Sequence, residues 1–116
     1  MKRMILLACA VAVAGCSTPS MTELRARGAA ATYQSAKKED ELAKCILFAW
    51  QDGKLSGGGM PMGMQPGRDS GVSIYAGRRE YFADVNAAST GSSVSYYHIG
   101  SSWVSKALKS ELETCL

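Results

Sequence analysis

Val72-Ser73-Ile74-Tyr75-Ala76, then Gly77-Arg78-Arg79, then Tyr81-Phe82-Ala83-Asp84-Val85 is the stretch whose reading decides the fold. Val72 and Ile74 alternate with Ser73 and Tyr75. Tyr81, Ala83 and Val85 alternate with Phe82 and Asp84. A period of two is the mark of a strand with one face in the core and the other outside. A third run, Ser93 to Ile99, is rich in residues that suit a pleated surface: Val94, Tyr96, Tyr97 and Ile99. Gly77-Arg78-Arg79 and Asn86 to Ser92 are turns short enough to join antiparallel neighbours. A three-stranded antiparallel meander is therefore expected.

Helical patterns flank it. Glu23 to Gln51 contains no proline and a single glycine, Gly28, and is dominated by Ala, Glu, Lys, Leu and Arg. Leu42, Cys45, Ile46 and Ala49 share one face at helical spacing, and Asp52-Gly53 is a stop signal. The run Lys37-Lys38-Glu39-Asp40-Glu41 suits a solvated helix face. At the other end, Ser101 or Ser102 can cap a helix whose stripe is Val104, Ala107, Leu108, Leu112 and Cys115. Between the first helix and the strands, residues 53–71 hold seven glycines, two prolines and three methionines, which predicts a long loop with room for a short edge strand. The expected fold is α+β: a long N-terminal helix, the meander and a C-terminal helix, with both helices on one sheet face.

The beginning of the chain carries an address. Lys2 and Arg3 precede an apolar run, Met4 to Val13, too short to span a bilayer as a helix. It closes on Val13-Ala14-Gly15-Cys16, which resembles the lipobox of bacterial lipoprotein precursors. The resemblance implies a signal peptide over 1–15, cleavage before Cys16 and lipidation of its thiol. Residues 16–22 would be a lipidated tether and 23–116 one domain. Two or three acyl chains anchor stably where one does not. Ser17, rather than Asp, after the cysteine implies sorting to the cell outer membrane, facing the periplasm. The remainder resembles small, uncharacterised envelope lipoproteins that pair a helical cysteine with one near the C-terminus, a likeness that assigns no active residues.

Loss of the leader changes charge and thiol count. The chain has 13 Lys+Arg and 10 Asp+Glu; without Lys2 and Arg3 the balance is 11 to 10, so the basic pI is no nucleic-acid signal. With Cys9 in the leader and Cys16 lipidated, Cys45 and Cys115 are left, and an even pair in an exported protein predicts a disulfide. A redox pair or thiolate metal ligands are the alternatives, though neither cysteine stands in a Cys-x-x-Cys motif.

Three constellations could carry chemistry. Met60, Met62 and Met64 could converge on a soft ion such as Cu(I), or simply fill gaps. Tyr75, Tyr81, Tyr96, Tyr97 and Trp103 surround Arg78 and Arg79, a mixture typical of binding hot spots and also of half-buried sheets. His98, the single histidine, could join Asp84 and a serine, but no nucleophile-elbow motif surrounds any serine. Gly57-Gly58-Gly59 lacks the Gly-Lys-Ser/Thr ending of a phosphate loop. The expected function is a non-catalytic, cofactor-free, lipid-anchored envelope lipoprotein. Its binding or accessory role toward an envelope protein or polymer would use Tyr75, Arg78, Arg79, Tyr96 and Tyr97. Copper binding by the methionines is the alternative, and an envelope hydrolase ranks last.

Overall fold

A computed structural model describes residues 18–55 and 59–116, so the signal segment 1–15 and Cys16 lie outside the described residues. The elements run α1 (Met21–Arg27), β1 (Ala31–Ser35), α2 (Glu39–Asp52), β2 (Met62–Pro66), β3 (Val72–Ala76), β4 (Tyr81–Ala88), β5 (Gly91–His98) and α3 (Trp103–Glu113). The strands form one antiparallel sheet in the order β1-β5-β4-β3-β2. Among the described residues, no helix is long and apolar enough to cross a membrane.

This overturns the expected long helix and three-stranded meander: the described residues hold three helices and five strands. The expected helix breaks at Gly28, whose φ of 94° ends α1 while its N–H bonds to the Arg25 carbonyl. Glycine occupies that left-handed region without a Cβ penalty. The alanine-rich segment beyond it then pairs along β5, with Ala31 opposite Tyr96 and Tyr33 opposite Val94. Pairing satisfies a row of β5 backbone groups, and this outweighs the weak helix propensity of Ala31-Thr32-Tyr33.

At the opposite edge, Met62–Pro66 of the Gly/Met-rich segment pairs with β3. The hairpin between β4 and β5 is also tighter than expected. Asn86 to Ala88 and Gly91 to Ser92 belong to strands, and Ser89-Thr90 alone make the turn.

The two sheet faces are unequal. On the inner face, Ile74, Ala76, Ala83, Val85, Val94 and Tyr96 are buried beneath Leu42, Ile46 and Trp50 of α2 and Leu108 and Leu112 of α3. Each large apolar side chain buried this way contributes about 2 kcal/mol. Polar tips inside this layer have partners. Trp50 Nε1 donates to the Leu108 carbonyl at 2.9 Å, and the Tyr96 hydroxyl donates to the Ser105 carbonyl at 2.8 Å. Ser102 starts α3 with a capping box, exchanging hydrogen bonds with Ser105. The Cys45–Cys115 disulfide joins α2 to the residues just after α3, with Cα atoms 5.8 Å apart. Among the described residues the outer face is covered only by α1, where Met21 and Leu24 meet Phe82, Tyr75 and Tyr97.

Candidate functional site

The outer face presents two cross-strand rows. One is Gly63, Tyr75, Phe82 and Tyr97; the next is Gln65, Ser73, Asp84 and Ser95. Directly opposed residues on neighbouring strands share a face, so an aromatic row lies beside a polar one. The helix α1 crosses them and inserts Arg25.

Arg25 is clamped from several directions. Its Nε donates to Asp84 Oδ2 at 2.7 Å and its Nη2 to Asp84 Oδ1 at 2.9 Å, a two-pronged pairing. Nη2 also donates to Ser73 Oγ at 3.2 Å, and the Ser73 hydroxyl donates to Asp84 Oδ1 at 2.6 Å. The guanidinium lies 4.9 Å from the Phe82 ring centre, and Phe82 stacks on Tyr97 at 4.7 Å. The hydrogen bond to Asp84 raises the Arg25 pKa above its ordinary value against an opposing desolvation effect. The ion pair holds α1 to the sheet.

A second device positions Arg79. Its Nε donates to Gln65 Oε1 at 3.0 Å, and its guanidinium lies 4.8 Å from the Tyr75 ring centre. Tyr75 lies across Gly63, where a Cβ would collide with the phenol, so glycine in β2 makes room for this stack. Gln65 Nε2 in turn contacts Met21 Sδ at 3.7 Å, linking the turn to α1. Arg79 has φ 70° in the Gly77–Glu80 turn, a left-handed conformation uncommon for a side chain of this kind.

Between α1, the end of β2 and this turn opens a cleft of about 630 Å³ lined by Arg25, Arg68, Arg78 and Arg79, with no Asp or Glu in its wall. A smaller cleft of about 220 Å³ adjoins it, and Arg25 and Arg68 border both. Among the described residues, Arg25–Asp84 is the only ion pair within 4.0 Å, so Arg68, Arg78 and Arg79 have no carboxylate partner there.

The expected site residues are divided by the fold. Tyr75, Arg78, Arg79 and Tyr97 lie on the outer face or its rim. Tyr96 does not: it is fully buried against α2 and α3, and its expected place on the same surface is corrected. Adjacent strand residues point to opposite faces, so Tyr96 and Tyr97 cannot share one. Burial pushes the Tyr96 phenol well above its ordinary pKa.

Met62 and Met64 occupy alternate positions of β2; Met60 and Met62 pack on the inner core, and Met64 is 40% exposed. His98 meets Tyr96 edge-on at 5.8 Å, and its buried Nδ1 has no hydrogen-bond partner among the described residues. Trp103, at the start of α3, is 70% exposed and belongs to neither core cluster. Among the described residues there is no cluster of three or more His, Cys, Asp or Glu suited to a metal ion.

Sequence reasoning misses Arg25, Arg68 and Gln65: a single helix through Gly28 hides α1, and the loop expected over 53–71, which has room for the edge strand found at Met62–Pro66, gives no register for Gln65 or Arg68. Asp84 was the available signal: a carboxylate on a sheet face beside Phe82 calls for a basic partner from elsewhere.

Comparison with protein-family models, curated protein sequences and solved structures returned no match.

Proposed function

We propose that this chain is a bacterial envelope lipoprotein, lipid-anchored through Cys16 at the outer membrane, with a non-catalytic binding or accessory role. Its binding face is the outer face of the sheet, centred on Tyr75, Arg78, Arg79 and the cleft beside α1. The observation that carries the binding role is that cleft, with four arginines in its wall and Arg79 held in place by Gln65 and Tyr75. Arginine and aromatic side chains fixed before contact lose little entropy on binding, the property of hot-spot residues. The lipobox Val13-Ala14-Gly15-Cys16 supports the anchor.

A photo-crosslinker placed at Arg78 or Tyr75 in intact bacterial cells should capture an envelope protein or polymer that one placed at Lys106 on α3 does not. Equal capture from both positions would refute the binding face. Mass spectrometry of the same material reports the anchor: Cys16 should be N-terminal and carry acyl chains, and an unmodified Cys16 would refute it.

A further inference from the structure

Arginine and lysine are sorted between the two sides of the molecule. All five arginines of the described residues, Arg25, Arg27, Arg68, Arg78 and Arg79, belong to α1 or to the turns that bracket β3. The six lysines, by contrast, lie in α2, in α3 or in the segments flanking α2. Solubility alone would be served by either residue. Arginine differs in its flat fork of donors, which matches the oxygens of an oxyacid two at a time, and in its weaker hydration. Four of the five arginines surround one cleft, and three of those four lack a carboxylate partner among the described residues. Asp84 neutralises Arg25, and Asp69 and Asp84 line only the adjoining cleft; the charges of Arg68, Arg78 and Arg79 repel one another, and that repulsion is relieved when an anion enters. The posture of Arg79 adds to this: the residue is exposed and has an uncommon backbone, yet its guanidinium is held over Tyr75 and beside Gln65.

We propose that this cleft binds a phosphate group, presented by an anionic phospholipid headgroup or by a soluble phosphate ester. The inference deepens the binding role proposed above and rests on the same face. Phosphate fits better than a carboxylate because its three or four oxygens can engage more than one guanidinium fork. Thr18 and Pro19 line the cleft, and Thr18 follows Cys16 by two residues. With a lipid on Cys16, the cleft would open at the level of the headgroups.

The test uses the full chain in neutral detergent micelles, with arginine Nε–Hε resonances followed by NMR. Pyrophosphate in one arm and phosphatidylglycerol mixed into the micelles in the other should each shift the Arg68, Arg78 and Arg79 signals saturably. Saturation with pyrophosphate alone assigns a soluble ester, and saturation with phosphatidylglycerol alone assigns a headgroup; both support the cleft. The double variant Arg68→Lys/Arg78→Lys, which keeps the charge, should weaken binding several-fold, and Arg68→Ala/Arg78→Ala about tenfold or more. Lys106→Ala/Lys109→Ala removes the same charge from α3 and should leave binding unchanged. No saturable shift in either arm would overturn the proposal. So would equal weakening by the lysine control, or a dicarboxylate binding as tightly as pyrophosphate. Lipidation is read separately from the mass of Cys16, so failure here would leave the anchor standing.

Discussion

The two faces of this sheet do opposite work. The inner face is sealed by two helices that bury a continuous apolar layer and are stapled to each other by Cys45–Cys115. Among the described residues the outer face has one seven-residue helix, a small apolar cluster and an ion pair holding that helix down. Stability is concentrated where burial is complete, which leaves the other face free to carry charge. A cleft lined by arginines would be costly in the inner layer, because unpaired charges cannot be buried there.

The comparison can be broken most severely from the inner side. Replacing Cys45 and Cys115 by alanine opens a link spanning 70 residues and should cost about 4 kcal/mol in the chain-entropy account. Urea unfolding followed through Trp50 fluorescence measures it, and a loss below 1 kcal/mol would mean that the helical layer holds without its staple.

A smaller effect should come from the outer side. Arg25→Ala leaves Asp84, whose side chain is 17% exposed, without its cation and should cost about 2 kcal/mol. Amide exchange should accelerate over Met21–Arg27 and stay slow in α2. Acceleration in both helices would show that the faces are not independent.

The smallest effect concerns alkaline pH. Burial, with help from Glu113, pushes the Tyr33 phenol from its ordinary 10.0 to about 12, and burial raises Tyr96 further. A pKa raised by folding contributes stability that is complete below the unfolded value and lost as pH climbs through the folded one. The Tyr33 contribution should therefore fade between pH 10 and 12. Absorbance at the phenolate band should show two tyrosines titrating late, and Tyr33→Phe should flatten the decline of the urea midpoint. An unchanged pH profile in that variant would remove Tyr33 from the account.

How much of this was legible varies by element. Alternation in Val72–Ala76 and Tyr81–Val85, the strand run before His98, and the Ser102 cap with its apolar stripe are local properties of the chain, and each is an element of the fold. The two cysteines lie inward on α2 and just past α3, and their bridge follows from those stripes. Local reasoning went wrong at Ala31–Ser35. Its alanine and flanking lysines favour helix, and the decisive partner, β5, lies about sixty residues away.

The site shows the same division. Tyr75, Arg78 and Arg79 were visible as a cluster in sequence, but Arg25 and Arg68 join them only across the fold. Taken alone, the amino-acid sequence determined the lipobox-like run Val13-Ala14-Gly15-Cys16, the three central strands, the last helix and the apolar stripes that carry the two cysteines, since each depends on neighbours within a few residues. Tertiary structure decided that residues 31–35 form a strand, that Tyr96 faces inward and Tyr97 outward, and that arginines from three segments share one cleft. Those outcomes depend on which sheet edge is unpaired and which face is already covered, and neither exists until the chain has folded.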